Sequence, residues 1–316
     1  MKTMNKKIYG ICGPTASGKT ALAVEISAII GGEVISCDSM QVYKGMDILS
    51  AKPSEEEKKG IVHHMMSVID PIEKFSASAF REYAEPIISD IRNRGRIPIL
   101  CGGTGLYIDS LTRGMRFSEK ADEDLRNTLK AISEEAGGPE RLHKELMEID
   151  PESALKYPAN DVRRVIRSIE IFRLTGLTRK QQEEADKNTP DRYQTKLFAL
   201  DWNREVLYQR IDRRVDEMVA NGLISEVSNL IKTGEENHPT ALQAIGYKEI
   251  ARALRGECAM SDAIVRTKTA SRNYAKRQLT WFRRDERVEW IKPENKTIES
   301  IANEIADRIR LMEEEK

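Results

Sequence analysis

The first hundred residues alternate short apolar runs with longer stretches in which apolar side chains recur at helical spacing. Short runs bounded by Gly, Pro or polar residues predict strands, and the longer amphipathic stretches predict helices. The predicted strands span residues 7–12, 33–37, 65–69 and 97–101, and the predicted helices span residues 19–30 and 77–94. Strands that alternate with helices are typical of a mostly parallel sheet covered on both faces. This part of the chain is therefore predicted to have an α/β fold.

The pattern changes near residue 117. From residue 118 to residue 191 charged amphipathic helices dominate, and Gly and Pro breaks separate them. Strand character returns at residues 196–200. Further helices are predicted at residues 204–220, 223–233, 247–254, 261–285 and 298–312, with a last strand at residues 288–291. We predict a parallel-sheet core formed by residues 1–117 and 195–316, into which residues 118–194 are inserted as a helical lobe.

The composition is that of an ordinary folded protein, with 40% hydrophobic and 32% charged residues. The formal net charge is zero, so a surface for a polyanion would need local segregation of basic residues. Cys12, Cys37 and Cys101 each end a short apolar run, where buried and reduced thiols are expected. No pair of cysteines has the spacing of zinc ligands.

No apolar stretch approaches the roughly 20 residues that a membrane-spanning helix needs. The apolar run near the N-terminus is too short for a signal peptide and is interrupted at Gly13 and Pro14. We therefore expect a cytoplasmic protein without membrane contact. No feature of the sequence requires a second chain, so we also expect a monomer.

Residues 13–20 match the Walker A phosphate-binding pattern at every required position. The match consists of Gly13, Pro14, Thr15, Ala16, Ser17, Gly18, Lys19 and Thr20. Glycines let successive backbone N–H groups curl around phosphate oxygens, and the following helix presents its positive end to the anion. Lys19 can reach the terminal phosphate, and the hydroxyl of Thr20 is placed to bind Mg²⁺. We predict that this P-loop binds a phosphate compound together with Mg²⁺.

Polar residues after the three other predicted strands lie at the same edge of the sheet. Asp38 and Asp70 each follow a predicted strand, and Thr104 lies in a Gly-rich junction after the fourth one. A residue just past the carboxyl end of a parallel strand lies in the ligand crevice, so Asp38 is expected close to the ligand of Lys19. A carboxylate in that place suits a general base. Thr104, at the same edge, is predicted to contact a substrate.

Basic residues are concentrated in residues 263–284, which contain seven of them and no acidic residue. They are Arg266, Lys268, Arg272, Lys276, Arg277, Arg283 and Arg284, interleaved with Tyr274, Trp281 and Phe282. A second basic stretch lies in the helical lobe, where Arg163 and Arg167 share one helix face. Basic side chains bind nucleic-acid phosphates and aromatics stack on unpaired bases, so the two stretches predict a cleft for RNA. The alternative is a solvated helix whose aromatics lie in the core.

Several motifs together resemble the tRNA dimethylallyltransferase family. They are the P-loop at residues 13–20, the segments at residues 38–43, 51–53 and 102–107, the basic cluster at residues 160–167, and the segments at residues 244–248 and 276–283. The resemblance implies that the loop binds the diphosphate of dimethylallyl diphosphate. It also implies that the acceptor is the exocyclic amine of the adenosine 3′-adjacent to the anticodon of tRNA.

The resemblance assigns roles to individual residues as well. The tRNA contacts that it implies are Asp38, Ser39, Met40, Gln41, Thr104, Arg126, Arg163, Arg164, Arg167, Gly246, Tyr247, Lys248, Lys276, Arg277, Gln278, Trp281 and Arg283. One of Arg210 and Arg214 would reach the leaving diphosphate, and we prefer Arg214. The predicted catalytic residues are thus Asp38 as general base, Thr104 to orient the amine, and Arg214.

Two other functions fit parts of the sequence. The P-loop by itself also fits a small-molecule or nucleotide kinase that uses ATP. A kinase would leave the basic segment at residues 263–284 unexplained. A non-catalytic RNA-binding protein that is switched by a nucleotide would leave Asp38 unexplained.

Overall fold

The computed structural model describes residues 7–115, 122–234 and 243–314. Its strands are β1 (Lys7–Cys12), β2 (Gly32–Ser36), β3 (His63–His64), β4 (Ile97–Gly102), β5 (Gln194–Leu200) and β6 (Val288–Ile291). They form one six-stranded sheet in the order β3-β2-β4-β1-β5-β6, and every neighbouring pair is parallel. The predicted α/β fold class is confirmed.

The helices divide between two compact units. In chain order they are α1 (Lys19–Ile30), α2 (Glu55–Lys58), α3 (Ala77–Asn93), α4 (Gly105–Thr112), α5 (Glu123–Glu134), α6 (Gly138–Ile149), α7 (Pro151–Lys156), α8 (Val162–Thr175), α9 (Arg179–Lys187), α10 (Arg204–Ala220), α11 (Leu223–Lys232), α12 (Tyr247–Leu254), α13 (Met260–Phe282) and α14 (Ile298–Glu314). The first unit, residues 1–112 and 192–316, contains the sheet, and the second unit, residues 113–191, contains α5 to α9. The lobe predicted at residues 118–194 begins in a segment outside the described residues.

The chain leaves the first unit and returns to it at one point. The carbonyl of Thr112, the last residue of α4, accepts hydrogen bonds from the N–H groups of Arg192 (2.9 Å) and Tyr193 (3.2 Å). The hydroxyl of Thr112 also accepts a hydrogen bond from Arg287 (2.9 Å). The exit and the return are therefore hydrogen-bonded neighbours.

The register of the sheet brings the carboxyl ends of its central strands to one edge. Cys12 of β1 is paired with Gly102 of β4 and with Ala199 of β5, and Ser36 of β2 is paired with Cys101. The loops that follow these four strands consequently begin side by side. In a parallel sheet this is the edge at which ligands bind.

Two apolar clusters support that edge. On the sheet, α1 and α14 pack around Leu22, Ile26 and Ile305. The second cluster lies beyond the end of β2. There α11 and α12, which begins with Tyr247, pack against the segment around Tyr43. Both clusters bury the periodic apolar positions from which these helices were predicted.

The predicted strand at residues 65–69 is wrong. The pairing with β2 ends at His64, and Met65 (φ 62°) and Ser67 (φ 53°) have left-handed backbones that cannot continue a strand. Only Ile69 returns to an extended pairing, through a single bridge to Tyr43.

In the part of the chain that the structure describes, no helix is long and apolar enough to cross a membrane. Cys12, Cys37 and Cys101 are buried and free, as predicted. Burial raises the pKa of the Cys101 thiol to about 11, which keeps it protonated at neutral pH.

Glu33 of β2 is a buried carboxylate that should make stability depend on acidity. Its side chain is 1% exposed and bonds to Arg94 (Nη2–Oε2 2.9 Å) and His64 (2.7 Å). Hydrogen bonding to Arg94 is the largest effect that lowers the pKa of Glu33, from 4.5 to about 2. The pKa of Glu33 is lower in the folded protein than in the unfolded one. The ionised carboxylate therefore contributes its full stabilisation at pH values above the pKa of the unfolded state.

That stabilisation should be lost as the pH falls through the folded pKa. We expect the difference in free energy of unfolding between wild type and Glu33→Gln to shrink steadily from about pH 5 to about pH 2.5. Urea unfolding of both proteins across this range measures it. A difference that stays constant would contradict the role of the ionised Glu33.

Candidate active site

A cavity of about 250 Å³ lies at the carboxyl edge of the sheet. It is bounded by the phosphate loop (residues 13–18), the segment after β2, the end of β4, and side chains of α10 and α13. All of these residues belong to the first unit. A concave site with converging polar groups is where a small ligand is expected to bind.

The phosphate loop has the irregular backbone that an anion cradle needs. Gly13 (φ 122°) and Gly18 (φ 98°) adopt conformations that other residues rarely reach, and Ala16 (φ 60°) is left-handed as well. Such backbone persists where surrounding contacts hold it. Lys19 Nζ donates a hydrogen bond to the carbonyl of Pro14 (2.8 Å), so the lysine lies along the loop and within reach of a bound anion.

Two side chains of the first unit bind loop carbonyls. Arg210 Nε donates to the carbonyl of Ala16 (2.9 Å), and Trp202 Nε1 donates to the carbonyl of Ser17 (2.8 Å). The guanidinium of Arg210 also stacks on the indole of Trp202, 4.6 Å from the ring centroid. Arg210 therefore contacts the loop backbone, whereas the preferred candidate for the diphosphate, Arg214, lines the cavity.

Gln278 of α13 joins the phosphate loop to the junction after β4. Its Oε1 accepts the N–H of Thr15 (2.8 Å), and its Nε2 donates to the carbonyl of Gly103 (3.0 Å). The side chain is only 5% exposed. Both ends of its amide are bonded inside the protein, and the side chain also lines the cavity, so its contact with tRNA stays a prediction.

Two cations of the cavity have neutral partners. Lys19 bonds to Pro14, and Arg214 donates to the carbonyl of Ala51 (3.2 Å) and lies 3.4 Å from the hydroxyl of Thr15. Among the described residues no carboxylate pairs with either cation. Removal from water lowers the pKa of both side chains, which reflects the cost of holding two positive charges here. A bound anion would offset that cost.

Asp38 follows β2 and lines the same cavity. Its Oδ1 accepts the backbone N–H groups of Met40 (2.9 Å) and Gln41 (3.4 Å), a local turn that fixes the carboxylate. In the described ranges Oδ2 has no hydrogen-bond partner, so it is available to a substrate. The carboxylate also raises the pKa of Lys19 and Arg214, against the larger effect of burial. The three charged groups therefore lie within electrostatic range of one another.

Thr104 holds the segment that carries Asp38. Its hydroxyl oxygen accepts the N–H of Ser39 (3.1 Å). Tyr274 of α13 lies on the cavity wall beside it, and burial, followed by the Asp38 carboxylate, raises the pKa of Tyr274 to about 12. The phenol therefore stays protonated beside the carboxylate. The contact of Thr104 with a substrate stays a prediction.

Helix α13 approaches the junction after β4 so closely that a side chain at either of two glycine positions would force a residue of α13 to move. A Cβ atom on Gly103 would overlap the amide of Gln278, and one on Gly105 would overlap the indole of Trp281. Trp281 remains 44% exposed, which leaves part of its ring available to an unpaired base. Phe282 is 1% exposed, so its predicted stacking on a base is wrong.

This close approach gives a test by double substitution. Gly103→Ala should lower the free energy of unfolding by about 1–3 kcal/mol, because the new methyl displaces Gln278. Adding Gln278→Ala opens space, so the two effects should fall short of additivity by more than about 0.5 kcal/mol. Urea unfolding of both single variants and the double variant measures the coupling. Strict additivity would exclude the contact.

Part of the basic segment at residues 263–284 is neutralised within the molecule. Lys268 pairs with Asp216 (2.7 Å) and Arg272 with Asp212 (2.6 Å), which joins α13 to α10. The excess of positive charge in residues 263–284 is therefore smaller in the folded protein than the sequence alone indicates. These two cations stabilise a helix pair rather than face a ligand.

The predicted RNA contacts on α13 differ in their surroundings. Lys276 and Arg277 are exposed, and Arg277 also lines the cavity. Arg283 pairs with Asp201 (2.9 Å) and lies 5.1 Å from the ring centroid of Trp290. Lys276 and Arg277 are thus the more available of the three, and their contact with tRNA stays a prediction.

The remaining predicted tRNA residues of the first unit divide by exposure. Ser39 and Met40 are partly exposed on the cavity wall, and Lys248 is exposed at the start of α12. Gln41 is 8% exposed, and its amide bonds inside the protein to Ser36 (2.7 Å) and to the carbonyl of Ala51 (3.3 Å).

The motif at the start of α12 is largely buried. Tyr247 is 1% exposed in the cluster beyond β2, so its side chain packs inside the protein, and the contact of this residue with tRNA stays a prediction. Gly246 (φ 98°) provides the left-handed start of the helix and is itself buried. Its place in an RNA interface stays a prediction.

Four predicted tRNA contacts lie in the second unit. Arg126 (2.7 Å) and Arg167 (3.0 Å) both pair with Glu170, whose side chain is fully buried. Arg164 pairs with Asp161, and Arg163 is exposed. Because two arginines share the single carboxylate of Glu170, this group of three side chains keeps a net positive charge.

The contacts of Trp202 and Arg210 with the loop were not predicted from the sequence. Trp202 follows β5 as Asp38 follows β2, so its place after a parallel strand was an available signal. Gln243 and Ser271 also line the cavity without having been singled out.

The chain is similar to known proteins over most of its length. The sequence model of IPP transferase matches residues 41–285, and that of isopentenyl transferase matches residues 6–70. The tRNA dimethylallyltransferase of Oceanobacillus iheyensis is 45% identical over 309 residues, which cover 96% of this chain and 97% of that protein.

Solved structures are similar over most of the chain. The tRNA delta(2)-isopentenylpyrophosphate transferase from Staphylococcus epidermidis matches with a TM-score of 0.71 and 40% identity, over 98% of this chain and 100% of that chain. A eukaryotic dimethylallyltransferase described as acting on tRNA matches with a TM-score of 0.75 and 34% identity, over 88% of this chain and 70% of that chain. Because the family match spans most of the sequence, the chain belongs to the IPP transferase family.

Proposed function

We propose that this protein transfers the dimethylallyl group of dimethylallyl diphosphate to the exocyclic N6 amine of the adenosine 3′-adjacent to the anticodon of tRNA, with release of diphosphate. One observation carries the proposal. A single cavity holds two cations that pair with no carboxylate of the described residues, and a carboxylate with one oxygen that these residues leave unbonded. The cations suit an anionic leaving group, and the carboxylate suits an amine that must lose a proton.

The leaving group needs positive charge where its own negative charge develops. Lys19 and Arg214 provide that charge at the cavity wall, and the N–H groups of the phosphate loop provide fixed donors. Both cations are already in place, and their positive charges are not neutralised by a carboxylate of the described residues. The protein therefore needs little rearrangement when the diphosphate leaves. This arrangement favours the transition state over the bound substrate.

Mg²⁺ is part of the proposal. Within the described residues, no group of three or more His, Cys, Asp or Glu side chains is placed to hold a metal ion. The hydroxyl of Thr20 lines the cavity, and Mg²⁺ commonly combines few protein ligands with the phosphate oxygens of a substrate. The ion would neutralise charge on the diphosphate.

The acceptor amine requires a base. The nitrogen lone pair of adenine is delocalised into the ring, so its attack on carbon needs removal of a proton as the bond forms. Asp38 Oδ2 accepts that proton from N6 while the new N–C bond forms and the C–O bond to the diphosphate breaks. The base must leave its stack to enter the cavity, at a cost of about a few kcal/mol that is least in a single-stranded loop.

RNA would be bound outside the cavity by exposed cations. Lys276, Arg277 and the partly exposed Trp281 on α13 are proposed to contact the anticodon stem-loop, as is Arg163 in the second unit. The proposal takes the protein to act as a monomer. A tRNA substrate places the proposed reaction in the cytoplasm.

One incubation separates this function from its alternatives. The protein is mixed with Mg²⁺, unfractionated tRNA and either labelled dimethylallyl diphosphate or labelled ATP. We expect the prenyl label to enter RNA and the ATP label to stay out of it. Phosphate transfer from ATP to a small molecule would favour a kinase, and nucleotide binding without any transfer would favour a switch. Either result would contradict the proposal.

A further inference from the structure

We infer that Trp202 and Arg210 are positioning residues of the phosphate loop. By binding two loop carbonyls from outside, they turn the N–H groups of Ser17 and Gly18 toward the bound diphosphate. The inference rests on the proposed function, because it takes a diphosphate as the ligand of the loop.

The geometry of the peptide group carries the inference. In a planar trans peptide the C=O and the following N–H point in opposite directions, and the chain has no cis peptide among the described residues. Arg210 bonds to the carbonyl of Ala16, and Trp202 bonds to the carbonyl of Ser17. The N–H groups of Ser17 and Gly18 must therefore point away from these two side chains.

The peptide group between Pro14 and Thr15 has the opposite orientation. The carbonyl of Pro14 accepts a hydrogen bond from Lys19, on the side of the anion-binding lysine. The N–H of Thr15, in the same peptide group, donates to Gln278 instead. The loop N–H groups are thus not equivalent. Thr15 is occupied by a protein side chain, and Ser17 and Gly18 are turned toward the ligand.

Trp202 and Arg210 support each other in this task. The guanidinium lies 4.6 Å from the indole ring centroid, and the indole packs in the cluster that contains Ile211. Ala16 itself has a left-handed backbone (φ 60°), a conformation that persists only when its surroundings impose it. The bond from Arg210 to this residue supplies such a restraint.

Trp202→Phe tests the inference without any change of charge. The substitution removes the N–H donor and keeps an aromatic ring under Arg210. We expect binding of inorganic diphosphate, measured by titration calorimetry, to weaken about fivefold. The matched control is Trp290→Phe on β6, which should change it by less than about twofold, because Trp290 does not contact the loop.

Arg210→Gln is the independent second variant. Its control is Arg204→Gln on the same helix, because Arg204 also stacks on an aromatic ring, that of Tyr208 (5.2 Å), without contact to the loop. We expect Arg210→Gln to weaken diphosphate binding about tenfold and to raise the KM for dimethylallyl diphosphate by a similar factor. The KM for tRNA should stay unchanged. A merely structural role would lower the thermal midpoint and impair both KM values together.

The outcomes separate this inference from the function on which it rests. If folded Trp202→Phe and Arg210→Gln bind diphosphate as tightly as the wild type does, the positioning role is overturned and the proposed function stands. If the wild type itself does not bind inorganic diphosphate, the proposed function fails. Should Trp202→Phe not fold, Arg210→Gln decides the inference alone.

Discussion

Asp38→Asn should slow prenyl transfer by about 10²–10⁴-fold, the range that a general base contributes. The amide keeps an oxygen that can accept the N–H groups of Met40 and Gln41, so the turn after β2 should persist. The substitution removes the negative charge and, with it, the ability to take a proton at Oδ2. Single-turnover transfer of labelled dimethylallyl groups to tRNA measures the rate, and filter binding measures the affinity for tRNA.

Asparagine is a better test here than alanine. Asp38→Ala also removes the acceptor of the turn and would combine a catalytic loss with a stability loss of about 1 kcal/mol. The matched control is Asp70→Asn, because Asp70 is exposed and pairs with Lys44 (3.3 Å) outside the cavity. It should keep its rate within about twofold. A near-normal rate in Asp38→Asn would remove Asp38 from the role of base.

Arg214→Gln should separate activity from stability. We expect kcat to fall by about 10²–10³-fold, because a positive charge that faces the leaving group is lost. We also expect the ligand-free protein to be as stable as the wild type or more so. The wild-type guanidinium is largely removed from water with only neutral hydrogen-bond partners, and burial lowers its pKa.

The neighbouring Arg213→Gln provides the control. Arg213 is exposed and pairs only weakly with Glu217 (3.5 Å), so its loss should change neither property appreciably. Thermal unfolding with and without inorganic diphosphate measures stability, and the diphosphate-induced rise in Tm should be smaller in Arg214→Gln. A large loss of stability without ligand would show that Arg214 holds the fold rather than the leaving group.

Local sequence patterns were sufficient to predict most strands of the sheet and several of the helices. β1, β6, α10 and α12 occupy the predicted residues, because each has an uninterrupted apolar period with a clear start and stop. The edge strand was misplaced since β3 has only two residues, and no period can be recognised over that length. The left-handed turns after it also carry no glycine that would mark them in the sequence.

The site was predictable where it follows strand ends and unpredictable where it depends on packing. The phosphate loop and Asp38 could be placed from their positions after β1 and β2. The bond of Trp202 to Ser17 joins residues 185 positions apart and exists only because β5 lies beside β1. No motif marks such a contact.

Charge along the sequence was a poorer guide than strand ends. Arg272 finds its carboxylate partner 60 positions away, on another helix. Residues 263–284 therefore look more basic in the sequence than their surroundings are in the fold. The resemblance also pointed to Gln278 and Tyr247 as tRNA contacts, although their side chains are buried.

The meeting of Thr112 with Arg192 and Tyr193 has a practical consequence for engineering. Two chain ends that already share hydrogen bonds can be joined by a tight turn without moving either one. The second unit can then be removed or exchanged for another module, while the sheet and its cavity keep their own connectivity. Attaching a different module to the unit that carries the cavity becomes a grafting problem rather than a redesign of the site.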